Sequence, residues 1–177
     1  MGLFDFLKNK KEIDKDVKEE LFKANDIIDR LLECSTAYSS KPGYFPTSLY
    51  VVGYLYGATD AMYQKLFPDV DEIHFMATYN TKLLTYYKEK QAISLSKNLE
   101  ELTKGSNAEF SKGMKDGGNE IFAWLKDKKH PASLELYLNE NSKNLNYDAS
   151  KKFLNDDYKK VEKIIKSAYE KYKKRTK

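Results

Sequence analysis

The sequence predicts an all-α fold: a single-domain helical bundle of five to seven helices built around a central apolar helix at about 48–67. Three observations lead there. Apolar residues recur at steps of three and four along most of the chain, as amphipathic helices require. No segment sustains strand alternation, and no two apolar runs are joined by a hairpin turn signal. The composition, 41% hydrophobic and 33% charged over 177 residues, is too apolar for a disordered chain and too polar for a membrane-embedded one, and the length suits one domain.

The first helix is expected over Asp14 to Tyr38, where Val17, Leu21, Ala24, Ile28, Leu31 and Tyr38 form one stripe, widened by Ile27 and Leu32. Ser39 to Pro46 reads as a loop, because Ser-Ser-Lys-Pro-Gly supplies turn residues and Pro46 disfavours helix at the residue before it. Thr47 then caps the next helix. That helix, about Ser48 to Phe67, carries apolar or small residues on nearly every side and so belongs at the centre of the bundle. Pro68 closes it, and Asp69, Asp71 and Glu72 place acidic charge where the next helix dipole favours it. From there the apolar pattern fades over Lys88 to Gln91 and resumes to Leu102, which allows one long, irregular helix or two pieces with a bend, the single helix being the preferred reading. Gly105 stops it and Ser106 caps a helix carrying Phe110, Met114, Gly117, Ile121 and Trp124. Pro131 opens a short helix with Leu134, Tyr137 and Leu138. Asn139 to Tyr147 is loop, and Asp148 caps a last helix with the seam Leu154, Tyr158, Val161, Ile165, Ala168 and Tyr172. Residues 1–12 and 173–177 are expected to be peripheral or frayed.

Composition excludes several classes. One cysteine, Cys34, leaves no disulfide scaffold and no cysteine-based zinc module, and a lone thiol fits a reducing cytoplasm. Met1 to Leu7 lacks the long apolar core of a secretory signal, and Pro42, Gly43 and Pro46 interrupt the longest uncharged stretch, so neither export nor a transmembrane helix is expected. The short apolar N-terminus and the Lys-rich C-terminus identify no partner. The Lys-, Asn- and Tyr-rich composition points to a microbial protein.

The net charge of +4 is uneven. Residues 1–81 hold nine Lys/Arg against thirteen Asp/Glu, or −4, while 82–177 hold twenty-two against fourteen, or +8. Most of this is expected on solvated helix faces. Only Arg30 and Arg175 are arginines, so the side chain best suited to bidentate recognition of bases is nearly missing and sequence-specific nucleic-acid binding is not expected.

Catalytic motifs are sparse. Two histidines, His74 and His130, and no Gly-x-Ser-x-Gly argue against a Ser-His-Asp hydrolase, and Cys34 on the apolar side of the first helix reads as an inert packing residue. No phosphate-binding glycine loop occurs. Helical bundles do hold metals through carboxylates and acid-x-x-His pairs. Asp60, Asp71, His74 and Glu120 form an eligible set for a metal-dependent enzyme, while Asp127-x-x-His130 resembles a solvated helix end. No cofactor is called for.

Two features stand out. Fourteen Tyr and nine Phe are present, with ten aromatic residues from Tyr38 to Tyr79, so beside their role in packing the tyrosines offer a groove or face for recognition. The second is a repeated Gly-x-x-x-Gly-x-x-acid: Gly53, Gly57 and Asp60 match Gly113, Gly117 and Glu120 at a constant offset, since 113 − 53, 117 − 57 and 120 − 60 are all 60. Glycine inside a helix costs about 1 kcal/mol relative to alanine, so close packing of two helices is expected there. A polar pocket beside that contact would draw on Tyr56, Asp60, Tyr63, Glu120 and Trp124. The expected function is a non-catalytic binding or protein-interaction module for a protein or small-molecule ligand, with a homo-oligomer compatible with the sequence and the metal-dependent enzyme as the alternative.

Overall fold

The computed structural model describes residues 15–41, 44–69, 72–105 and 107–146. These form seven α-helices and no strand: α1 (Lys15–Thr36), α2 (Leu49–Leu66), α3 (Glu72–Tyr86), α4 (Glu89–Lys97), α5 (Leu99–Lys104), α6 (Ala108–Asp127) and α7 (Ser133–Glu140). The expected tails at 1–12 and 173–177 and the expected last helix from Asp148 lie outside the described residues.

α1 buries Ala24, Ile27, Ile28, Leu31, Leu32 and Ser35 along one stripe. The helix ends at Thr36, sooner than the apolar pattern suggested. Ala37 N–H donates to Cys34 O and Ser39 N–H to Thr36 O, and these turns swing Tyr38 out of the stripe into solvent. The cap of α2 is Ser48 rather than Thr47: its extended backbone and Oγ meet the Val51 N–H at 3.5 Å. α2 is buried on nearly all sides, as its composition requires.

The expected single helix to Leu102 is three helices. Tyr86 and Tyr87 explain the first break, because neighbours on a helix point about 100° apart and both rings are buried. Tyr86 OH donates to Asp29 of α1, Tyr87 OH to Pro46 O at 3.2 Å, and Lys88 adopts an extended backbone before α4 starts. A second bend falls at Asn98, between α4 and α5. α6 is capped by Asn107, whose Oδ1 accepts from Phe110 N–H at 2.9 Å.

α2 and α6 form the principal packing interface, and four glycines make it. A Cβ on Gly53 would run into the Phe110 carbonyl, on Gly57 into that of Met114, on Gly113 into that of Tyr50 and on Gly117 into that of Tyr54. Both partners advance together in number, so the helices run parallel. The contacts also exchange when 60 is added or subtracted, which gives the pair a local two-fold symmetry. Backbone meets backbone over two turns, where Cα–H groups approach carbonyl oxygens and the lost helix propensity is offset by close packing. The sequence expectation for these glycines holds.

Candidate functional site

The α2–α6 symmetry is broken by what flanks the glycines. Asp116 and Glu120 stand one turn apart on α6 and face two tyrosines one turn apart on α2. Tyr50 OH donates to Asp116 Oδ2 at 2.8 Å and Tyr54 OH to Glu120 Oε2 at 2.6 Å. Ser35 Oγ of α1 lies 3.2 Å from the Tyr54 hydroxyl. The other Glu120 oxygen accepts from the backbone N–H groups of Ala132 at 3.0 Å and Ser133 at 2.7 Å. Glu120 therefore satisfies the open donors at the start of α7, where a negative charge also suits the helix dipole.

Around Tyr50 the ring of Tyr137 stacks at 4.0 Å, and Lys112 Nζ sits 4.8 Å above the Tyr50 ring while reaching Asp116 at 2.8 Å. Tyr137 OH lies 2.8 Å from Ser48 Oγ and donates to Glu109 at 3.2 Å. Burial and the adjoining carboxylates raise Tyr50 and Tyr54 well above the ordinary phenol range. These hydroxyls stay protonated and act as hydrogen-bond donors. The assembly ties α1, α2, α6 and α7 together, and each Glu120 oxygen is occupied by protein.

The residues singled out from the sequence fall as follows. Tyr56 is half-buried, edge-on to Phe75 at 5.2 Å and to Tyr79 at 5.4 Å, and 5.9 Å from Phe110. Tyr63 is buried with its hydroxyl 2.7 Å from Thr78 Oγ1, and burial pushes it up to about 12. Trp124 is buried. Asp60 accepts from Gln64 Nε2 of its own helix at 2.9 Å. The position related to Tyr54 by the local symmetry is Met114, which offers Asp60 no hydroxyl. His74 is half-buried on α3, with its Nδ1 buried and without a hydrogen-bond partner. Asp71 lies outside the described residues. Among the described residues no three His, Cys, Asp or Glu side chains come together in a way that could hold a metal ion. His130 meets Glu135 at 3.0 Å rather than an Asp127 partner.

Sequence reasoning missed a second polar cluster. Asp29 of α1 accepts from Lys82 Nζ at 2.7 Å and from Tyr86 OH, joining α1 to α3. Burial pulls Lys82 below its ordinary value, with Asp29 opposing that shift. Nothing in the local sequence flags it, since Asp29 and Lys82 both sit in ordinary helical patterns. Cys34 is half-buried, and burial together with Glu33 pushes its thiol up, away from the reactive thiolate.

Sequence reasoning also missed Tyr38, which it placed in the α1 stripe. Tyr38 is 74% exposed, and its backbone is tied to α7. Its ring packs edge-on against His130 at 5.6 Å, its carbonyl accepts from Asn139 Nδ2 at 3.3 Å, and Ser40 N–H donates to Asn139 Oδ1 at 2.7 Å. On α7, Leu134 and Leu138 point inward and Leu136 is 57% exposed, one turn before the Asn139 that grips the Tyr38 segment. Leu136 and Asn139 thus share one face of α7, with the Tyr38 carbonyl on Asn139.

Comparison of the chain with protein-family models, with curated proteins and with solved structures finds no match. Among the described residues no helix is long and apolar enough to cross a membrane.

Proposed function

We propose that the protein is a non-catalytic helical interaction module that binds a protein partner through the face formed by Tyr38, His130 and Leu136. The observation that carries this reading is the exposed Tyr38 ring on a segment whose backbone Asn139 clamps to α7. A surface segment free to move would lose backbone freedom on binding, whereas one whose backbone is already clamped loses less. Tyrosines of this kind are enriched at interface centres, and an adjoining aliphatic side chain supplies apolar contact. The tyrosines of α2 serve the reading differently, as internal posts that hold α6 and α7 in position behind the face.

The test compares Tyr38→Ser/Leu136→Gln with the parent protein as affinity baits. The expected result is a partner retained in stoichiometric amount by the parent and lost by the variant, with unchanged helical circular dichroism and Tm. Equal retention by both proteins would place the interface elsewhere. Stoichiometric metal in protein purified without added metal, lost on His74→Ala, would instead favour the metal-dependent enzyme.

A further inference from the structure

We infer that one internal water is bound in the core between α3 and the chain entering α2, held by the hydroxyls of Tyr79 and Tyr87 and by Thr47 Oγ1. Six tyrosines are buried among the described residues: Tyr50, Tyr54, Tyr63, Tyr79, Tyr86 and Tyr87. Five of their hydroxyls have a protein partner, a carboxylate for Tyr50, Tyr54 and Tyr86, Thr78 Oγ1 for Tyr63 and the Pro46 carbonyl for Tyr87. Tyr79 is wholly buried and its hydroxyl has none. Its ring is edge-on to Tyr56 at 5.4 Å and parallel to Phe75 at 6.3 Å, contacts that phenylalanine would make equally well. A dry hydroxyl would therefore make tyrosine a worse choice than phenylalanine here, because burial strips it of solvent and returns no bond.

The surroundings of that hydroxyl suit water. Burial, then Tyr87, then Tyr56 push the Tyr79 phenol up, an effect of phenols on one another that requires them to be neighbours in a poorly screened region. Tyr87 gives its own proton to Pro46 O at 3.2 Å and keeps an acceptor site on its oxygen. Thr47 follows that carbonyl directly, and its Oγ1 is a second buried hydroxyl without a partner. A water that accepts from Tyr79 and donates to Tyr87 and Thr47 makes about three bonds, the usual complement of a buried water. The three groups are neutral hydroxyls and supply no counter-charge, which selects water over an ion.

The test is oxygen-17 water relaxation dispersion, whose amplitude counts long-lived internal waters, on the full-length parent and on Tyr79→Phe. The amplitude should fall by the equivalent of one water in the variant, with helical circular dichroism unchanged. The unfolding equilibrium constant in urea should rise about three- to tenfold, as Tyr87 and Thr47 lose their bridge. An amplitude equal to the parent's would overturn the inference, and so would a variant more stable than the parent, the outcome expected of a hydroxyl that had been dry. Thr47→Val removes another of the three partners without touching the aromatic core and should lower the amplitude in the same way. An unchanged amplitude in Thr47→Val would overturn the inference even where Tyr79→Phe fails to fold.

Discussion

Tyr54 shows how much one hydroxyl holds in this bundle. It is fully buried and its O–H reaches a carboxylate that also caps α7, so losing it strands part of Glu120 in a site that water enters poorly. Tyr54→Phe should lower stability by about 1–3 kcal/mol, the range for a buried hydrogen bond to a charged group, measured by urea denaturation with an unchanged m value. Tyr137→Phe should cost less, because Tyr137 is only half-buried and its partners are nearer to solvent. Glu120 was legible in the sequence as the acid of the repeated Gly-x-x-x-Gly-x-x-acid, whereas Asp116 was not. Asp116 precedes two glycines and reads as a solvated position, and its partner Tyr50 lies 66 residues away. The contrast between Glu120 and Asp60 was also beyond reach. It depends on Tyr54 facing one acid where Met114 stands in the related place, and only the helix pairing decides that.

At the level of elements, periodicity located α1, α2, α6 and α7 to within a few residues, and failed between Tyr86 and Leu99. There each helix buries few side chains, so the repeat is weak. The break is set instead by distant partners, Asp29 and Pro46, which claim two adjacent tyrosines. The end of α6 carries a different device. Lys128 has φ of 54°, in the left-handed region that glycine occupies at little cost, and its N–H reaches Ala123 O and Trp124 O. Lys128→Gly should therefore raise stability by about 1 kcal/mol, read as an increase in Tm. A decrease would show that the lysine side chain stabilises the turn by more than the backbone strain costs.

Across the whole molecule, burial of phenols makes a prediction about pH. Tyr50, Tyr54, Tyr63, Tyr79, Tyr86, Tyr87 and Tyr137 all have folded values raised by burial above the ordinary 10. Below about pH 10 these groups are protonated in both states and the stabilisation is fully present. Above it the unfolded chain ionises first, so stability is lost as pH rises through 10 towards the folded values, with Tyr63 at about 12. Lys82, lowered by burial, acts in the opposite direction, as one group against seven, and only up to its unfolded value of 10.5. Absorbance at the tyrosinate wavelength should thus rise in a steep step that coincides with loss of helical circular dichroism, whereas a broad rise preceding unfolding would contradict the buried hydroxyl network. The central claim is that parallel α2 and α6, in backbone contact at four glycines, organise the bundle, and two neighbouring glycines test it directly. A Cβ on Gly117 would strike the Tyr54 carbonyl, while on Gly118 it would find ordinary contact, 3.5 Å from Gly57 O and 3.7 Å from Ala61 Cβ. Urea unfolding of Gly117→Ala and Gly118→Ala side by side should show the first destabilised by about 1–3 kcal/mol or more and the second unchanged or stabilised by up to about 1 kcal/mol through helix propensity. Stabilisation by both substitutions would mean that α2 and α6 do not meet backbone to backbone.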